Sequence, residues 1–246
     1  MSSLLKILAI IPVYRDIAAA RQVLRNFKKG FVDQVYLVVD APNPIEEDEI
    51  RKTAANISTP TTIVVNSKRK GVGSAIRDGI DYGLANRYNV AVVLAGNNKD
   101  SPSEIPRLLA PILDEGFDYV QGSRFLPGGK RVKNPFIRGV FSRLYPFLWT
   151  LTTRKRCTDV TNGFRAYRLS IFSDKCIDIH QQWLDEYELE YYIHFKALTL
   201  GFEIKEVPVS KVYAFKHKGG YSNISPLRDW WKIVSPLVYL KLGIRQ

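Results

Sequence analysis

Val90-Ala91-Val92-Val93-Leu94-Ala95-Gly96-Asn97-Asn98-Lys99-Asp100-Ser101-Pro102 is the stretch on which the fold reading turns. Its first five residues form an unbroken apolar run, which reads as a buried strand. Ser101-Pro102-Ser103-Glu104 then has the spacing of a capping box, with Pro at the first helical position. Ile105, Leu108, Leu109, Ile112 and Leu113 repeat at the spacing of one helix face. Gly96 to Asp100 is therefore expected to be a short polar loop between a strand's C-terminal end and a helix N-terminus. Open α/β sheets bind their ligands at such loops. An ordinary strand-to-helix connection has the same appearance, so the loop alone assigns no function.

The pattern repeats outward from this centre. Strands are expected at Leu4 to Pro12, Gln34 to Asp40, Thr61 to Val65 and Phe117 to Gly122. Helices are expected from Asp16, as a cap, to about Lys29, from about Ile45 to Asn56, and from Lys68-Arg69-Lys70-Gly71 through about Asn86. Strands alternating with helices imply right-handed βαβ units and a largely parallel sheet. After Ser123 the character changes to a basic loop, an aromatic-rich helix from about Phe136 to Thr152, and an irregular stretch to Arg168. A long helix over about Leu184 to Leu200, short strands at Glu203 to Pro208 and Lys211 to Phe215, and a terminal helix over Pro226 to Leu242 complete the chain. The organisation expected is one domain over 1–225 followed by an amphipathic helix, 226–246, packed on the domain or facing a membrane.

Composition bounds the function. The 246 residues are 46% hydrophobic, enough for a full core, and the net charge is +12. That charge favours a polyanionic partner: nucleic acid, nucleotide phosphates or an anionic membrane surface. No nucleic-acid-binding motif accompanies it, so nucleic acid is not expected. Cys157 and Cys176 lack metal spacing and read as reduced thiols of a cytoplasmic protein. The first residues show no signal-peptide pattern, and no apolar run approaches the roughly 20 residues of a membrane span. A cytoplasmic location follows as the expectation, peripheral on the inner face of the membrane if the basic and aromatic segments meet lipid.

Several groups can carry chemistry. Asp40, at a strand end, can accept hydrogen bonds from a base or a ribose, or cap a turn. Lys70-Gly71-Val72-Gly73 lacks the spacing of a Walker loop, though its glycines permit close backbone approach. Gln121-Gly122-Ser123-Arg124 through Lys130 leaves a strand as a glycine-containing basic loop, and arginine presents a planar fork to phosphate oxygens. Arg131, Lys133, Arg138 and Arg143 extend the positive field. Asp159-Val160-Thr161-Asn162-Gly163-Phe164-Arg165 joins a carboxylate, a turn and an arginine. On the expected long helix, Asp185 and Glu188 share a face, as do Glu186 and Glu190; one is a candidate general base. His180 and His194 read as structural.

Taken in order, these stretches resemble the family-2 glycosyltransferases of the GT-A fold, close to the dolichol-phosphate mannosyltransferase group. The matching pieces are Ile10 to Asp16, Val38-Val39-Asp40, Gly71 to Gly79, Gly122-Ser123-Arg124-Phe125, Asp159 to Arg165, Glu206-Val207-Pro208 and Gly220-Tyr221-Ser222. No one piece is diagnostic, but the ordered set spans nearly the whole chain. The resemblance implies a nucleotide-sugar donor held by Pro12, Tyr14, Asp16 and Asp40, with Gly71, Gly73, Asn97, Ser123, Asp159, Arg165, Lys218 and Ser222 completing the binding site. It implies phosphate contacts from Arg124 and Arg138, inverting transfer, and a lipid-phosphate or glycan acceptor. Lys99, Asp100, Arg124 and Glu190 are the residues expected to act in the chemistry.

The central loop departs from the family. An Asp-x-Asp motif followed by Gln, holding Mg²⁺ or Mn²⁺, is replaced by Ala95, Asn97 and Lys99. Alanine supplies no ligand and lysine repels a metal, whereas a hard cation wants several anionic oxygens. Weak or absent metal dependence is therefore expected, with Lys99, Arg124 and Lys130 supplying fixed positive charge. The rival is a residual Mg²⁺ or Mn²⁺ site of Asn97, Asp100 and donor phosphates. The aromatic segment Trp230 to Leu242 and the basic 130–156 region suggest peripheral membrane contact. Two further functions fit less fully: a nucleotide-sugar-binding scaffold that has lost catalysis, and a nucleotidyltransferase.

Overall fold

The computed structural model describes residues 5–132, 136–213 and 230–245, with the side chains of 136–142 and 230–233 not described. The chain runs β1 (Ile7–Tyr14), α1 (Ile17–Arg25), β2 (Gln34–Asp40), α2 (Pro44–Ala55), β3 (Thr61–Asn66), α3 (Val72–Ala85) and β4 (Val90–Val93). It continues α4 (Ile105–Asp114), β5 (Tyr119–Ser123), β6 (Lys130–Val132), α5 (Phe136–Thr153) and β7 (Arg165–Arg168). It closes with α6 (Glu188–Thr199), β8 (Ile204–Pro208), β9 (Ser210–Val212) and α7 (Trp230–Lys241). One seven-stranded sheet has the order β3-β2-β1-β4-β7-β5-β8, and β6 pairs with β9 in a small second sheet. Among the described residues all pairs are parallel except those of β7, which runs antiparallel to both β4 and β5. The expected mostly parallel α/β sheet flanked by helices is what forms.

Side-chain alternation builds two cores from the same strands. Ala9, Ile11 and Val13 of β1, Val35, Leu37 and Val39 of β2, and Val90 and Val92 of β4 pack beneath α1, α2 and α4. Leu8, Ile10, Tyr36, Val38, Ala91 and Val93 face the other way, onto α3 and α6. Burying both faces explains why these strands read as unbroken apolar runs. Helix α3 approaches the sheet closely because Gly79 and Gly83 carry no Cβ; one at Gly79 would lie 2.6 Å from Ile10. A third cluster joins Tyr145 and Trp149 of α5 to Tyr191 and Leu198 of α6 and Leu237 of α7, so α7 packs on this helical layer.

Local signals succeed in some places and fail in others. Asn43 and Glu46 form a reciprocal capping box at the start of α2. The box expected at Ser101 to Glu104 does not form. Ser101 accepts from Ser103 N–H instead, and Glu104 accepts from the Ser210 N–H at 2.9 Å, tying α4 to β9. Asp16 occupies the N-cap position of α1 without a side-chain cap bond. The long helix begins at Glu188 rather than Leu184, because 182–184 form a 3-10 turn. Asp185 and Glu186 therefore precede the helix, and the face they were expected to share with Glu188 and Glu190 does not exist. Residues 165–168, expected as irregular, form the antiparallel strand β7. The strand expected over Lys211 to Phe215 is β9, which spans Ser210–Val212; 214–215 lie outside the described residues.

His194 is fully buried on α6. The Tyr119 hydroxyl lies 2.6 Å from Gln121 Oε1 and 2.9 Å from His194 Nδ1. Its one proton goes to Gln121, so Nδ1 carries the imidazole proton. Burial, assisted by Arg165, holds the His194 pKa well below its ordinary value. A base held neutral in the fold but free to charge when unfolded stabilises the protein above its unfolded pKa of about 6.5. That stability is lost as the pH falls from there towards the folded pKa, by at most about 1.4 kcal/mol per pH unit. Urea midpoints measured from pH 8 to pH 5 should decline below about pH 6.5, and H194Q should flatten the decline. An unchanged slope in H194Q would contradict the assignment.

Candidate active site

Strands β1, β2 and β4 end side by side. Tyr14 is in register with Asp40, and Gly96 N–H donates to the Pro12 carbonyl at 3.0 Å. Just beyond the three strand ends, Arg15, Ala41 and Asn98 take left-handed backbone angles, φ 62°, 50° and 53°. Such conformations are disfavoured for residues with a Cβ, and clusters of them occur at ligand sites. Here they turn the chain sharply and open a cleft of about 430 Å³. Pro12, Tyr14, Asp16, Asp40, Gly71 and Asn97, six of the residues expected to hold the donor, line it together.

Asp40 is 4% exposed and latches the loop between β3 and α3. Its Oδ1 accepts from Asn66 Nδ2 at 2.9 Å, and its Oδ2 accepts from the N–H groups of Lys70 and Gly71 at 2.9 and 3.0 Å. The other wall is the segment before α6. Ser74 N–H donates to the Asp185 carbonyl at 3.0 Å, and Arg77 pairs with the Asp185 carboxylate at 2.6 Å. A Cβ on Gly71 would lie 2.3 Å from the Asp185 carbonyl, and one on Gly73 2.0 Å from that of Leu184. Gly71 also has φ +107°. The glycines thus permit a close backbone seam between residues 71–74 and 184–186. Gly73 serves that seam and is not in the cleft lining.

The cleft contains charge that the sequence reading left out. The guanidinium groups of Arg15 and Arg69 lie 4.8 and 5.1 Å from the centre of the Tyr14 ring. Arg69 also pairs with Glu186, and Glu186 and Tyr187 line the cleft. Arginines stacked beside an aromatic ring suit a nucleobase and its phosphates. Arg15 and Arg69 both stand in quoted motifs, but nothing in their spacing shows that two loops 54 positions apart bring them to one ring.

The central loop turns its charges inward. The Lys99 ammonium is buried and lies 5.7 Å from the centre of the Tyr213 ring, and Lys99 is not in the cleft lining. Asp100 is 1% exposed; its Oδ2 accepts from Lys211 Nζ at 2.9 Å. Asp100 Oδ1 is buried without a hydrogen-bond partner among the described residues. The residues present do not fit a protein-held divalent cation. The central loop offers one carboxylate, Asp100, which an ammonium already occupies, and no group of three His, Cys, Asp or Glu side chains clusters among the described residues.

Arg124 faces inward as well. Its Nε and Nη2 donate to the two oxygens of Asp159 at 2.6 and 2.7 Å, and its backbone N–H donates to the same carboxylate. Nη1 donates to Tyr213 and Nη2 also to Thr161. The fork expected to grip phosphate thus grips Asp159. Glu206 accepts from the N–H groups of Thr158 and Asp159, and burial pushes its pKa up. Ser123 bonds Thr158 at 2.6 Å. Arg165 is buried against Glu190 and donates to the carbonyls of Val160, Asn162 and Glu190. Ser123, Asp159, Arg165 and Glu190 are therefore taken up in internal contacts, and none of them lines the cleft. Lys130 is exposed. The Arg138 side chain, Lys133 and 214–229, with Lys216, His217, Lys218, Ser222 and Asn223, lie outside the described residues.

The family model for glycosyl transferase family 2 matches residues 8–175. The chain belongs to that family. It is 30% identical over 211 residues to the undecaprenyl-phosphate mannosyltransferase of Micrococcus luteus, covering 85% of this chain and 84% of that one. It is 28% identical over 205 residues to the polyprenol monophosphomannose synthase of Mycolicibacterium smegmatis, covering 82% and 76%. The fold matches that of glucosyl-3-phosphoglycerate synthase from Mycobacterium tuberculosis, crystallised with Mn²⁺, UDP and phosphoglyceric acid. That match has a TM-score of 0.69 at 17% identity over 99% of this chain and 80% of that one. This glycosyltransferase has the GT-A architecture, with the cleft at the C-terminal edge of its parallel strands.

Two measurements probe the site. D40A removes the acceptor of two backbone N–H groups and one amide, and should cost about 1–3 kcal/mol of stability and weaken nucleotide binding; calorimetry showing unchanged affinity would count against the cleft. Breaking a buried pair from one side costs about 3–5 kcal/mol. R124A and D159A should each do so in urea titrations, and the double variant should lose clearly less than their sum. Additive losses would show that the two side chains do not act as a pair.

Proposed function

We propose that this glycosyltransferase moves a sugar, with inversion, from a nucleotide-sugar donor to a polyprenyl phosphate at a membrane surface. An acceptor phosphate oxygen attacks the sugar's anomeric carbon, the bond from that carbon to the donor diphosphate breaks, and the nucleoside diphosphate leaves with the bonding electrons. An acceptor that is already anionic needs no general base. Positive charge to hold it and to steady the leaving group matters more.

The observation that carries the acceptor class is a second basic surface bordering an apolar one. Arg131, Arg124 and Arg143 surround the Phe125 ring, at 4.4, 5.8 and 5.9 Å from its centre. Asp159 holds Arg124, but Nη1 of Arg131 is buried with no hydrogen-bond partner among the described residues. Burial first, then the charges of Arg143 and Arg124, pulls the Arg131 pKa down. A bound anion would relieve that repulsion. Beside Arg143 a hollow of about 360 Å³ is lined by Phe125, Phe147, Arg156 and Thr158. On α5, Leu144, Phe147 and Leu151 are 61%, 66% and 69% exposed. Large apolar side chains left in water beside arginines suit a lipid chain and an anionic headgroup. Among the described residues no helix is long and apolar enough to cross a membrane, so the contact proposed is peripheral. The relatives named as an undecaprenyl-phosphate mannosyltransferase and a polyprenol monophosphomannose synthase support the same class.

Purified protein given radiolabelled GDP- and UDP-sugars with undecaprenyl phosphate in detergent should form a lipid-extractable sugar phosphate. R131A and R143A should raise the KM for the lipid about tenfold each, equal to about 1.4 kcal/mol, and leave the donor KM unchanged. Donor hydrolysis without lipid product would contradict the acceptor class, pyrophosphate release when a nucleoside triphosphate and a sugar 1-phosphate are supplied instead would indicate a nucleotidyltransferase, and no turnover of any donor would favour a binding scaffold.

A further inference from the structure

Lys211 was not among the residues singled out in the sequence, yet it occupies a built position. Its ammonium donates to Asp100 Oδ2 at 2.9 Å and to Asn162 Oδ1 at 2.9 Å. One acceptor comes from the loop after β4 and the other from the loop before β7. The side chain of Lys211 is 11% exposed and that of Asp100 fully buried. Strand β9, which carries Lys211, is fixed to the same loop by the Val212 N–H donating to the Lys99 carbonyl at 2.9 Å. A carboxylate oxygen and an amide oxygen converging from separate loops are hard-cation donors. Here they surround an ammonium.

We propose that Lys211 is the resident cation of the donor site, held by Asp100 and Asn162 where a bound divalent ion would otherwise sit. This rests on the reading of the cleft as a nucleotide-sugar site. The loop that ends at Asp100 begins in the cleft wall at Ala95, Gly96 and Asn97, so the carboxylate that holds the ammonium is joined to that wall through Asn98 and Lys99. Lys99 packs on Tyr213, and Arg124 pairs with Asp159. The burial of Lys211 and Asp100 keeps the ammonium from being screened by water. The buried Asp100 Oδ1, which has no partner among the described residues, gives the inference a second consequence. Without the ammonium, Asp100 Oδ1, Asp100 Oδ2 and Asn162 Oδ1 would form a three-oxygen pocket, a minimal site for Mn²⁺.

The test uses the full chain with UDP and GDP as probes, titrated by calorimetry in chelator and again in excess Mn²⁺. Mn²⁺ binding to the protein itself is followed by electron paramagnetic resonance. Wild type should bind one of the nucleotides in chelator, with Mn²⁺ changing the affinity by less than about threefold. K211A should bind about tenfold more weakly in chelator, recover in Mn²⁺, and show a bound-Mn²⁺ signal that wild type lacks. K211R should keep metal-free binding. Should K211A fail to fold, D100N/K211M leaves no buried charge unpaired and should show the same loss in chelator, without the gain of Mn²⁺. A wild-type affinity that rises tenfold or more with Mn²⁺ overturns the proposal and leaves the glycosyltransferase reading intact. Metal-free binding by folded K211A equal to wild type also overturns it. Absence of binding of either nucleotide under both conditions overturns this proposal and the donor-site reading together.

Discussion

The buried pair of Arg124 and Asp159 is the interaction on which the second half of the molecule depends. It spans 35 positions of sequence and joins the end of β5 to the loop that leads into β7. Through Tyr213 it reaches the end of β9, and Glu206 binds the same loop from β8. An ion pair this dry is strongly unfavourable unless every donor finds a partner. That requirement explains the company the pair keeps: Thr161, Tyr213 and the N–H of Arg124 each complete a hydrogen bond in it. Once the loop is fixed, Asn162 is placed under Lys211, and the central loop is held from below.

The first half is organised by the parallel sheet, and its functional edge follows from backbone geometry. Strands β1 and β2 end in register at Tyr14 and Asp40, the chain after β4 runs on to Gly96 beside Pro12, and each must then turn away quickly. Left-handed residues at Arg15, Ala41 and Asn98 provide the turns, and Asp40 supplies the carboxylate that binds the opposite loop. The cleft is therefore a consequence of where strands stop, with the seam at Gly71 and Gly73 setting its width.

Much of this was legible in the sequence for a physical reason. Strands buried on two faces show as apolar runs, and the helices between them show as 3.6-residue periodicity. The β7 strand was hidden because Arg165 and Arg168 frame it. Their charges suggest solvent, whereas backbone carbonyls of Val160, Asn162, Ile112 and Phe117 receive them in the interior. Pairing across the chain hid the rest. Glu104 suited a local cap and bonded Ser210; Asp185 and Glu186 suited a helix and paired with Arg77 and Arg69. The resemblance to the family's motif marked Lys99 as the key cation of the loop, but only the fold shows that its ammonium lies on Tyr213 and that Lys211 meets Asp100.

The central claim is that the strand-end cleft receives the nucleotide of a sugar donor. A crystal structure with a bound nucleoside diphosphate tests it most directly. The account requires the base or ribose beside Tyr14 and Asp40, with the diphosphate against residues 95–97. A nucleotide found elsewhere on the molecule, with this cleft left to solvent, would contradict it.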